Sequence, residues 1–191
     1  MRLRAIPRFK LACLPSMLGY AFLAAIIAAV YGIIHDQVTY SISPEYFTKM
    51  KFLQFHYADF GFSRRIFVAE VGVLATWWVG LVGGWLMARI VVSAIEGTRR
   101  FTYMARGIAI MFAIAIAGSL AGYILGLRRI NDPNMDNWID YRMALGIGDL
   151  KGFVRVAYIH NASYIGGLLG LVAALIYLWS AMRKFNPGSG E

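Results

Sequence analysis

A handful of ionisable and amide side chains stand apart in a chain that is otherwise strongly apolar. His35, Asp36 and Gln37 are consecutive, Glu45 follows in a polar segment, Glu70 interrupts an apolar run, and His160, Asn161 and Tyr164 fall together near the start of another. Two imidazoles with one or two carboxylates suit zinc, iron or manganese, so His35, Glu70 and His160, with Asp36 beside them, are a candidate transition-metal set. No paired spacing such as HExxH accompanies them. His35 and His160 also suit axial ligation of one haem, a less favoured alternative because it calls for a cofactor cavity that sequence does not display. The plainer alternative makes both histidines hydrogen-bonding residues of a helix interface. Ser163 follows His160 closely, but a hydrolase needs its nucleophile beside a base in space, so no catalytic residue is named.

Four apolar stretches must position these groups. Leu11 to Ile34 gives 24 residues without a charge, Ile66 to Arg89 is broken only by Glu70, Gly107 to Leu127 gives 21 and Val156 to Met182 gives 27. Crossing a hydrocarbon core of about 30 Å takes roughly 20 helical residues, so each stretch is long enough to span a membrane. Hydrophobic residues make up 59% and charged residues 15% of the chain, below the roughly 25% charged of a soluble domain. A carboxylate such as Glu70 inside a span costs about 2.5–3.5 kcal/mol on insertion scales. It either reaches outward to Arg64 or Arg65, or faces the bundle beside His35 or His160 as a proton or cation site.

The net charge of +9 is not spread as a nucleic-acid surface would be. With both tails and the loop between spans two and three on one side, that side carries ten basic groups (Arg2, Arg4, Arg8, Lys10, Arg89, Arg99, Arg100, Arg106, Arg183, Lys184) against Glu96 and Glu191. Basic density at span ends orients helices, which predicts both termini in the cytoplasm. These residues then meet anionic lipid headgroups and not nucleic acid. The basic start before the first apolar run imitates a secretory signal, but that run exceeds the 7–15 residues typical of a signal core and reads as an uncleaved anchor. Cys13 is the single cysteine, so no internal disulfide forms.

Small residues recur every four positions in three spans. Gly72, Thr76, Gly80 and Gly84 line one face of span two, Gly118, Gly122 and Gly126 one of span three, and Gly166 and Gly170 one of span four. Helices in lipid associate through such close backbone approach, so these are read as packing seams. Ser43, Pro44 and Glu45 make a helix start. Tyr46, Met50 and Leu53 then recur at helical spacing, predicting a short amphipathic helix on the outer surface. Asp132, Asp136 and Asp140 lack the oxygen spacing and closing glutamate of a calcium loop and read as a solvated acidic segment. Trp77 and Trp78 fall mid-span, where they pack against lipid or neighbouring helices, whereas Trp85 and Trp179 read as interfacial anchors.

Three strings taken together resemble a family of uncharacterised bacterial multi-pass inner-membrane proteins. They are His35-Asp36-Gln37-Val38-Thr39 followed by Glu45-Tyr46-Phe47-Thr48, Ala75-Thr76-Trp77-Trp78-Val79-Gly80, and His160-Asn161-Ala162-Ser163-Tyr164. The resemblance covers spans one, two and four. It implies a bacterial inner membrane and treats the His35, Glu45 and His160 strings as one feature of the outer face, without an activity, substrate or cofactor. That family tends to carry a histidine–proline pair after the EYFT string, where this chain has Lys49-Met50-Lys51.

The expected fold is all-α: a polytopic membrane protein with an antiparallel four-transmembrane-helix bundle and short external amphipathic helices. Residues 1–185 form the membrane domain and 186–191 a disordered tail. Two functions are expected. One is a small subunit or assembly component with a polar extracytoplasmic pocket (His35, Asp36, Gln37, Glu45, Glu70, His160, Asn161 and Tyr164), in a larger membrane complex or a homo-oligomer. The other is a membrane enzyme or ion-coupled transporter with a His/carboxylate site at the outer membrane edge.

Overall fold

A computed structural model describes residues 10–130 and 136–185. The tail at 186–191, and Asp132 of the acidic segment, lie outside the described residues. All regular structure among the described residues is helical. A short 3-10 turn leads into α1 (Leu14–Ile42), followed by α2 (Pro44–Tyr46), a π-helical turn (Phe47–Lys51) and α3 (Phe52–Gln54). The long helices α4 (Arg64–Ala94) and α5 (Arg99–Arg129) come next, then α6 (Asp136–Leu145) and α7 (Leu150–Arg183). Four segments, Leu11–Ile42, Arg64–Ala94, Arg99–Arg129 and Leu150–Arg183, are long and apolar enough to cross a membrane. The chain is an integral membrane protein with an all-α, four-helix architecture.

Each helix outruns the uncharged stretch that announced it. Charge marks where hydrocarbon depth ends, whereas a helix continues until its backbone hydrogen bonding is interrupted. In α1 that interruption is extended Ser43 before Pro44, whose ring disfavours a helical predecessor, so His35, Asp36 and Gln37 lie inside the helix. Arg64 and Arg65 form the first turn of α4. At the opposite end, Gly97 turns the chain with φ +72°, and Arg100 donates to the carbonyls of Ile95 (2.6 Å) and Val92 (3.1 Å), satisfying the end of α4.

The helices pack as two intimate antiparallel pairs, α1 with α4 and α5 with α7, and the pairs touch each other more lightly. Between α1 and α4, Gly32 faces Gly72, Ala24 faces Gly80, and Ala21 and Ala24 face Gly84. Between α5 and α7, Gly118 faces Ala162, Gly122 faces Tyr158, Gly126 faces Arg155, Gly166 faces Ile114 and Gly170 faces Met111. A Cβ at Gly32 or Gly72 would strike the other's carbonyl, so the backbones meet where only glycine permits it. The α1 half of its seam is Ala24, Ala28 and Gly32, small residues at the same four-residue spacing.

Outward faces are apolar: Ile26 and Leu168 are more than half exposed, and so is Trp78. Helices α1 and α5 scarcely touch, and between them lies a cleft of about 530 Å³ lined by Leu23, Ile27, Val30, Tyr31 and Ile34 from α1 and Phe101, Met104, Ile108 and Phe112 from α5. The segment from Pro44 to Gln54, predicted as an amphipathic helix on the outer surface, lies there only in part, with Leu53 65% exposed. Tyr46 and Phe47 are buried, packed with Tyr40, Val68, Phe153 and Val156 into a cap over one end of the bundle, and Lys51 is buried as well. Ser43 stands at the N-cap position, but its hydroxyl is buried and makes no capping bond.

Candidate functional site

Under that cap, α1 and α7 bring His35, Asp36 and His160 together, with one candidate ligand atom from each within 4.8 Å of the others. Nε2 of His160 lies 3.9 Å from Oδ1 of Asp36. The rings of His35 and His160 meet edge-on with centroids 4.7 Å apart. Asp36 and His160 are buried, at 4% and 1% exposure, and His35 is half-buried with a buried Nε2 that has no hydrogen-bond partner among the described residues. Desolvated polar groups left unpaired cost stability, so this open Nε2 is the anomaly of the site.

A continuous set of hydrogen bonds runs through His160. Lys51 Nζ donates to the Tyr164 hydroxyl at 3.2 Å, and that hydroxyl lies 3.4 Å from His160 Nδ1. Nε2 of His160 lies 3.2 Å from Thr39 Oγ1, which itself donates to the His35 carbonyl at 3.0 Å. With the Thr39 proton committed to that carbonyl, Thr39 accepts from His160 Nε2–H, and Nδ1 is then the acceptor from Tyr164. Apolar walls close the arrangement: Tyr46 stacks on His160 at 4.9 Å, Phe47 stands 6.0 Å away, and Tyr31 packs against His35 at 5.6 Å. The Tyr31 hydroxyl is held 3.0 Å from Ser163 Oγ, tying α1 to α7 just beneath the cluster.

The other sequence candidates fall elsewhere. Glu70 is not one of the converging groups among the described residues, where its buried Oε2 has no hydrogen-bond partner; of the two expected carboxylates, Asp36 stands with the histidines. Glu45 binds backbone instead: Oε1 accepts from Gly148 N–H at 3.2 Å and Oε2 from Asp149 N–H at 2.7 Å, tying the cap to the start of α7. Gln37 points toward α4 and exchanges hydrogen bonds with Arg65, donating to its carbonyl at 2.7 Å and accepting from its guanidinium at 3.0 Å. Asn161 is exposed, and His56 is exposed with Nδ1 3.0 Å from the Leu53 carbonyl. His35 and His160 do not bracket a macrocycle, since their rings touch directly and Tyr46 covers the other imidazole.

Sequence reasoning missed Lys51 and Thr39. Thr39 sits four residues after His35, on the same helical face, a spacing signal that was there to use. Lys51 carried no such signal; it is buried at the end of the π-helical turn, a form that recurs at functional sites. The acidic segment forms a helix from Asp136, and Asp140 is exposed. Compared with the models of known protein families, with curated proteins and with solved structures, the chain finds no match.

Proposed function

We propose that the chain is a bacterial inner-membrane protein, both termini in the cytoplasm, that works through a proton- and cation-handling site at the outer membrane edge, as a membrane enzyme or an ion-coupled transporter. The observation that carries this reading is the convergence of His35, Asp36 and His160 within 4.8 Å, inside helices otherwise apolar enough to cross a membrane. Ionisable groups are rare in spans because their desolvation is costly, and those that persist face the bundle interior and do work there. The line from Lys51 through Tyr164, His160 and Thr39 supplies an ordered set of donors and acceptors along which a proton can shift. His160 engages a partner through each ring nitrogen, which makes it the centre of the line.

The test is replacement of the gene in its own host by Asp36→Asn and His160→Gln, each checked for equal amounts in the membrane. Both are expected to lose the wild-type phenotype while Asn161→Ala keeps it. Equal function of all three would remove the reading. Reporter fusions test the sidedness: a reporter in the 55–62 segment is expected to be active only outside the cytoplasm, and one at the C-terminus only inside.

A second reading, a subunit of a larger membrane complex or of a homo-oligomer, is favoured by the cleft between α1 and α5. Unlike the α1–α4 and α5–α7 contacts it has no glycine seam, and its walls are apolar throughout. A partner helix seated there would co-purify in fixed ratio, and bulky substitutions at Val30 and Ile108 would release it.

A further inference from the structure

We propose that His35, Asp36 and His160 bind one divalent transition-metal ion of the zinc or ferrous-iron class, with at least one coordination position left open. The proposal rests on the cluster being a cation-handling site and names the cation. Two imidazole nitrogens and one carboxylate oxygen form a donor set that zinc and non-haem iron both accept. Calcium and magnesium prefer oxygen throughout and are disfavoured by it.

The spacing fits. A tetrahedral ion with bonds of 2.0–2.2 Å holds its ligand atoms about 3.4 Å apart. The three candidate atoms already lie within 4.8 Å of one another, and Nε2 of His160 is 3.9 Å from Asp36 Oδ1. Side-chain rotation of roughly 1 Å closes the difference, with no movement of the helices. The ligand-bearing helices α1 and α7 belong to different pairs and are held to each other by their few direct contacts and by the cap, whose α2 touches both.

The surroundings also fit. A ligating histidine nearly always has its second nitrogen held by an outer partner. For His160 that partner is the Tyr164 hydroxyl, 3.4 Å from Nδ1. On binding through Nε2 the imidazole proton moves to Nδ1, and the tyrosine oxygen accepts it alongside the Lys51 ammonium. Tyr46 and Phe47 exclude water from one flank, which strengthens the attraction of Asp36 for a cation. Three protein ligands leave the fourth position free, the pattern of reactive or exchanging sites and not of closed structural ones.

The experiment uses full-length protein in detergent, stripped with chelator and titrated with cobalt(II) and then zinc(II). One cobalt per chain is expected, with visible absorption of a tetrahedral or five-coordinate ion that zinc displaces. Asp36→Asn and His35→Gln are expected to weaken binding by more than about 100-fold, beyond the 10–100-fold typical of losing an outer partner, which is the range expected for Tyr164→Phe. Glu70→Gln and His56→Ala should bind as wild type. Helical circular dichroism and a single elution peak verify that each variant is folded. Absence of saturable binding at one per chain, or equal affinity in folded Asp36→Asn, overturns the proposal. If Asp36→Asn and His160→Gln fail in the cell while wild type takes up no metal, the metal assignment falls and the proton-handling site stands. If wild type binds the metal and both variants function normally, the reverse holds.

Discussion

Nε2 of His160 on α7 lies 3.9 Å from Oδ1 of Asp36 on α1, and both side chains are almost fully buried. The pair joins the two helix pairs of the bundle at one end, where direct α1–α7 packing is sparse. His160→Ala removes the ring on which Tyr46 stacks and leaves Asp36 and Thr39 without their shared partner. A loss of about 2–4 kcal/mol is expected from the cavity and the stranded polar groups. Unfolding in detergent measures it, with the exposed neighbour Asn161→Ala as a comparison expected to stay within about 0.5 kcal/mol of wild type.

Glu45 holds the cap to the body of the protein through two backbone amides at the start of α7, with Asp149 adding a bond of its own to Gly152 N–H at 3.0 Å. Glu45→Ala leaves both amides without a protein partner at a helix N-terminus, where a carboxylate is favoured. The cost expected is about 1–2 kcal/mol. Faster hydrogen exchange at Gly148 and Asp149, with α5 unaffected, identifies the local nature of the effect. Uniform loosening of the whole bundle would contradict it.

The seam between α1 and α4 tolerates no side chain at Gly32 or Gly72. Gly72→Val forces the two backbones apart and is expected to cost about 1–3 kcal/mol or more. Gly167 has open space around it, so Gly167→Ala is expected to be neutral or to gain less than about 1 kcal/mol. Resistance to unfolding in denaturing detergent ranks the two, and an equal response to both substitutions would argue against the seam.

Tyr46 lies in the cap, outside the spans, and burial, with Tyr164 and Asp36 nearby, pushes its phenol above the usual tyrosine range. A folded-state value above the unfolded one contributes stability that is complete below pH of about 10 and is lost as pH rises toward the folded value. The protein is therefore expected to weaken in alkali more steeply than Tyr46→Phe. Denaturation midpoints at pH 8 and above check this.

Lys51 is buried beside the site and shares Tyr164 with His160. Its ammonium opposes a second cation, at an energy that grows as the local dielectric falls. Lys51→Met is expected to tighten zinc binding severalfold in a titration at low salt. Weaker binding in a folded variant would mean that the lysine assists the site.

Length and hydropathy were enough to place four spans, because an apolar run of that extent has few stable settings other than lipid. Their ends were not legible from charge alone: α1 continues past Ile34 to Ile42, carrying His35 and Asp36 inside its final turns. The glycine rows stood out by their four-residue repeat. Which helix each row meets is a matter of pairing, which spacing within a single helix does not carry.

The sequence by itself determined that the chain is helical, that it lives in a membrane, and that His35 and His160 are unusual residues there. Periodicity and hydropathy are properties of single helices, and they survive translation into one dimension. Only the tertiary structure decided that Asp36 and not Glu70 joins the histidines, that Glu45 serves as a tether, and that Lys51 turns inward. Those outcomes depend on how α1 and α7 are rotated about their own axes under the cap, a rotation set by contacts between segments far apart in the chain.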